Sequence, residues 1–153
     1  MIGDEIHKFA KQLWPINRSI TGEGVRETLS EIKTILPTLK VYSVPSGTSV
    51  FDWDIPKEWK VNDAYIVTPN GKKICRFSDN NLHLLGYSIP FKGKLSLAEL
   101  KEHLYTLPDQ PNAIPYITSY YKERWGFCLK HEQFEKLQEG EYEVYIDSEL
   151  FNG

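Results

Sequence analysis

Apolar positions change their period along this chain, and the changes mark its elements. Ile6, Phe9, Ala10, Leu13 and Trp14 recur at helical spacing, with Asp4 placed to cap and Pro15 to stop. Val25, Leu29, Ile32 and Leu36 repeat the pattern, which predicts a second helix from Gly22 to Leu36 closed by Pro37. Thr21 is the expected N-cap, its hydroxyl accepting an amide proton of the first turn. Residues 39–45, LKVYSVP, read as a strand, and a further short strand is expected around Ser49–Phe51. DAYIVTPNGKKICRF reads as a hairpin in which Asn70-Gly71 supplies positive φ angles. Residues 80–91 have the composition of another short strand.

Ser96 and Glu99 form an S-x-x-E capping box ahead of Leu97, Leu100 and Leu104. YITSYY and WGFCLK are strand-like about a KERWG turn, and HEQFEKLQEG predicts a short helix ending before Gly140. In 141–147, Tyr142, Val144 and Ile146 alternate with Glu141, Glu143 and Asp147, the pattern of a strand with one wet face. The fold class is therefore α+β: N-terminal helices with an antiparallel or mixed sheet.

The 153 residues suffice for one domain or for a domain with a compact insertion. A chain this long hides about 70% of its extended surface without staples. Composition is globular, with 41% hydrophobic and 25% charged residues. The net charge of −3, without a basic tract, argues against nucleic acid. No apolar run is long enough for a membrane span, and MIGDEIHKFAK is not a signal peptide. Cys75 and Cys128 lie alone in apolar runs, as buried thiols of a cytoplasmic protein would.

Candidate chemistry is sparse. NRSITGEGVRE (17–27) opens a helix with glycines, but it has neither a dinucleotide fingerprint nor a Walker loop. Arg18, beside Ser19 and Thr21, has the chemistry to clamp a carboxylate or to anchor the loop. His83 stands beside Asp79 and two asparagines. Tyr120, Tyr121, Arg124 and Trp125 crowd six positions, a stacking surface for sugar or peptide or a hairpin's own core. Trp53 and Trp59 flank DIPKE. His7, His83, His103 and His131 show no metal spacing, and no Ser-His-Asp or Cys-His set is defined.

LWPINRSITGEGVRETL, VPSGTSVFDWDIPKEW, FSDNNLHLLGYS and LPDQPNAIPYITSYYKERWGFCL together resemble a family of aminopeptidase-like bacterial proteins. Genes for these proteins are often found with polysaccharide-biosynthesis genes. The resemblance covers nearly the whole chain, and the middle looks like that family's inserted domain of unknown function. It implies an incomplete part of an α/β zinc exopeptidase fold, in which zinc activates a water against the peptide carbonyl. It carries no zinc ligand onto any residue here, because the family's first ligand motif would follow the last residues of this sequence.

The domain division expected on this basis is 1–48 for the helices and first core strand, 49–140 for the insertion, and 141–153 for a returning core strand. Residues 39–45 and 141–148 are expected to pair antiparallel. The implied function is a non-catalytic portion of a zinc aminopeptidase-like hydrolase that shapes access or specificity, with Trp53, His83 and 120–125 toward the active site. The alternatives are a stand-alone peptide- or glycan-binding module, using Arg18, Ser19, Thr21, Trp53, His83, Tyr120, Tyr121, Arg124 and Trp125, or a structural or oligomerisation domain. Expected partners are the remainder of the peptidase, a peptide or glycan, and further copies of the chain, with neither nucleic acid nor membrane. No cofactor is expected in this chain itself.

Overall fold

The computed structural model describes residues 1–119 and 121–153. It is a mixed α/β structure in two compact units, Met1–Trp59 with Phe151–Gly153, and Lys60–Leu150. The sequence expectation places its boundaries at 48/49 and 140/141; the units change over at 59/60 and 150/151.

The first unit holds helix α1 (Ile2–Leu13) and helix α2 (Glu23–Ile35). A two-residue hairpin, β1 (Ser49–Val50) with β2 (Trp53–Asp54), follows them. Its tip, Phe51, takes φ +56° and is fully exposed. Neither helix buries a residue, although both are amphipathic. Trp59 is this unit's only buried apolar residue among those described.

Three expectations for this unit are corrected. Asp4 lies inside α1, where it pairs with the N-terminal ammonium at 3.1 Å, and the N-cap is Met1. The N-cap of α2 is Gly22, without a side-chain cap, since the Thr21 hydroxyl donates to the Lys57 carbonyl at 3.1 Å. Residues 39–45 form no strand, and Val41, Tyr42 and Val44 are exposed. A strand needs a neighbouring strand for its backbone groups, and among the described residues 39–45 has no such ladder, only local bonds at its ends, Leu39 to Leu36 and Thr48 to Pro45.

The second unit is built on an antiparallel sheet in the order β4-β3-β8-β5. These strands are β3 (Glu58–Val67), β4 (Lys73–Ile74), β5 (Phe91–Ser96) and β8 (Glu141–Phe151). The expected antiparallel pairing of 39–45 with 141–148 is therefore replaced by β3 and β5 on the two sides of β8. β5 and β8 register from Phe91 opposite Ile146 to Ser96 opposite Glu141. The alternation foreseen in 141–147 holds: Tyr142, Val144 and Ile146 are buried, and the intervening residues face outward. The β3–β4 hairpin also forms, with Gly71 at φ +80°, while Asn70 is absent from the residues of positive φ.

The capping box at Ser96 is complete and opens α3 (Leu97–Lys101), burying Leu97 and Leu100. Leu104 belongs instead to β6 (Leu104–Tyr105), which runs parallel to β7 (Phe127–Cys128). Among the described residues of 117–130, strand structure is limited to β7, which also bridges to Leu84 through Phe127, and a bridge from Thr118 to Gly86. Residues 81–91 hold a 3-10 turn, Asn81–His83, before β5 begins. Helix α4 (His131–Phe134) is four residues long. Leu85, Leu100, Phe127, Leu129, Tyr142 and Val144 are among the fully buried side chains of this unit.

Candidate functional site

The residues singled out in the sequence fall in different units. Arg18, Ser19, Thr21 and Trp53 belong to the first, and His83, Tyr121, Arg124 and Trp125 to the second. Tyr120 lies outside the described residues.

In the first unit, the 17–27 loop is a clasp. Arg18 Nη1 donates to the Leu13 carbonyl at 2.7 Å, placing a cation on the open carbonyl end of α1. The Ser19 hydroxyl donates to the Thr21 carbonyl. Arg26 grips Glu58 with both guanidinium nitrogens and reaches Glu23 through Nε at 2.8 Å. The glycines are steric necessities. Gly22 has φ +125°, in the region that favours glycine, and a Cβ on Gly24 would collide with the Asn17 carbonyl. Trp53 is half-buried opposite Val50 in the small hairpin.

In the second unit, the expected aromatic surface is largely core. Trp125 is buried, with Phe91 stacked at 4.1 Å and His103 at 3.7 Å between centroids. His103 Nδ1 donates to the Trp125 carbonyl at 3.2 Å. His83 Nδ1 donates to the Cys128 carbonyl at 2.8 Å. Arg124 donates to the Thr118 carbonyl at 3.1 Å and stands 5.6 Å from the centroid of the Tyr105 ring. Tyr121 remains exposed.

A different surface of this unit brings aromatic and charged side chains together. On the outward face of the sheet, Tyr65 of β3 and Tyr145 of β8 stack at 5.1 Å with 27° between their planes. Lys73 Nζ stands 3.6 Å over the Tyr65 ring. Lys92 is the register partner of Tyr145, and Lys94 of Glu143. Lys94 Nζ bridges Glu141 at 2.8 Å and Glu143 at 3.4 Å, and these carboxylates raise its pKa. The Tyr145 phenol is also pushed up, first by the adjacent Asp147 carboxylate. The side chains enclose an open groove of about 390 Å³, lined by the two tyrosines, the three lysines, Val67 and Glu143 among others.

The sequence reading missed this surface. Its one local signal was a tyrosine on the wet face of an alternating strand, and the partner tyrosine lies 80 positions earlier.

Among the described residues, no three His, Cys, Asp or Glu side chains come together to hold a metal ion. No helix among the described residues is long and apolar enough to cross a membrane.

Residues 58–149 match a family described as a domain of unknown function (DUF2172). A Clostridium acetobutylicum protein named "Putative polysaccharide biosynthesis protein with aminopeptidase-like domain" is 48% identical over 151 residues. That match takes in 99% of this chain and 35% of the relative. A crystal structure of a "putative peptidase" from Clostridium acetobutylicum superposes with a TM-score of 0.94 at 48% identity. It covers 99% of this chain and 36% of that one. The chain thus spans about a third of the length of these relatives.

Proposed function

This chain belongs to the family described as a domain of unknown function (DUF2172), and from its likeness to a longer protein named for an aminopeptidase-like domain we propose that it is a non-catalytic portion of an aminopeptidase-like hydrolase. In this reading, residues 60–150 shape substrate access or specificity, and the first unit joins that portion to the rest of the peptidase. One observation carries the reading, the bareness of the first unit. Ile2, Ile6, Trp14, Ile35, Leu36, Val41, Tyr42 and Val44 are all exposed. Amphipathic helices with no buried residue gain stability from further protein that covers them. A segment outside any ladder, such as 39–45, has backbone to offer a neighbouring strand.

Two measurements test this proposal. The pure chain, supplied with zinc, is assayed on aminoacyl 4-nitroanilides, with its metal content read by mass spectrometry. We expect no turnover above buffer and less than one zinc per chain. Steady, EDTA-sensitive hydrolysis by the chain alone overturns the non-catalytic assignment. In the longer Clostridium acetobutylicum relative, the segment matching residues 60–150 is replaced by a short Gly-Ser linker. The expected outcome is a changed ratio of rates between short and long peptides, and an unchanged ratio overturns the access role.

A further inference from the structure

We infer that the outward face of the sheet binds an acidic saccharide, a short oligosaccharide carrying uronate carboxylates, in the groove between Tyr65, Tyr145 and Lys92. The groove's volume of about 390 Å³ falls in the range of small-ligand sites. One wall is aromatic: the Tyr65 and Tyr145 rings brace each other at 5.1 Å, and Lys73 holds the stack from the Tyr65 side. Aromatic faces of this kind pack against the C–H faces of sugar rings.

The charge is complementary to an anion. The ammonium groups of Lys73, Lys92 and Lys94 line the groove with one carboxylate, Glu143, while Glu141 pairs with Lys94 and Asp147 stands beside the Tyr145 phenol. Lys94 is fixed by Glu141 and Glu143, whereas the Lys92 ammonium has no hydrogen-bond or ion-pair partner among the described residues. Lys92 is thus placed to take a carboxylate, with Lys73 adding positive charge from its place over the Tyr65 ring and Glu143 accepting hydroxyl protons.

The groove opens on the sheet face: its lysines come from the edge strands β4 and β5, and its tyrosines, Val67 and Glu143 from the inner strands β3 and β8. Their backbone groups face neighbouring strands within the sheet. An extended acidic peptide would find no main-chain ladder there, and strand addition needs an edge. Recognition rests on side chains, which favours a polyhydroxylated anion over a peptide. The inference is independent of any peptidase role, and a failure of either leaves the other standing.

Isothermal titration of the whole chain with trigalacturonate, maltotriose and triglutamate tests it. Expected is saturable binding of trigalacturonate that weakens as sodium chloride rises. Lys92→Glu and Tyr145→Ala should each weaken it by at least about tenfold. Tyr121→Ala should leave it unchanged, and maltotriose should not bind measurably. Circular dichroism melts identify folded variants, and the exposed Lys92 keeps the test decisive if Tyr145→Ala unfolds. Absence of trigalacturonate binding overturns the inference. So does equal binding of maltotriose, tighter binding of triglutamate, or full affinity in folded Lys92→Glu.

Discussion

Arg26 and Glu58 form a two-pronged ion pair, Nη1 to Oε1 at 2.6 Å and Nη2 to Oε2 at 2.8 Å. It ties α2 to the first residue of β3 within the first unit, across 32 positions of sequence. The Glu58 side chain is nearly buried, at 11% exposure, while that of Arg26 is half open at 51%. The hydrogen bond from Arg26 holds the Glu58 carboxyl below its ordinary value of 4.5, against the opposing cost of its burial.

Because the folded value lies below the unfolded one, the pair's contribution is full above pH 4.5 and fades as pH falls through the folded value. Glu58→Gln should cost about 1–2 kcal/mol at pH 7, discounted for the solvent around Arg26. The cost should shrink below pH 4. Urea titrations at pH 7 and pH 3.5 check this, and an equal cost at both rejects the pair as its source.

Trp125 is a load of the second unit's core, held between Phe91 and His103. Trp125→Ala should destabilise the protein by about 3–5 kcal/mol through lost burial and the cavity left behind. Tyr121→Ala, four residues away but 76% exposed, should stay within about 0.5 kcal/mol. Chemical denaturation of the two variants separates them. Comparable losses would contradict the division of this cluster into a buried and an exposed half.

The thiols of Cys75 and Cys128 are both buried, and burial pushes each up to about 12. Both are then protonated at neutral pH, and the thiolate is the reactive form. Ellman's reagent at pH 8 should release almost no colour from the native chain and two equivalents in 6 M guanidinium. Rapid reaction of either thiol in the native chain would contradict that environment.

How far the sequence could be read depended on the range of the forces involved. The capping box at Ser96 needs only residues three apart, and it forms with both its bonds. The alternation of Tyr142, Val144 and Ile146 records a buried face whatever strand lies alongside. Segment 39–45 carries strand-like residues but remains unpaired, because propensity cannot supply a partner. Thr21 is likewise a good cap by type, and its hydroxyl was drawn to Lys57 by a contact 36 positions away.

By itself, the order of residues determined the amphipathic helices, the capped turn before α3, the hairpin at Gly71 and the inward face of β8. Each of these follows from periodicity or from backbone freedom within a few residues. Only the tertiary structure decided that Trp125 goes inward, that β8 lies between β3 and β5, and that Tyr65 meets Tyr145 on the outward face. The physical reason is that burial and cross-strand contact join distant positions. Which positions meet depends on how the strands pair, and local pattern does not encode that pairing.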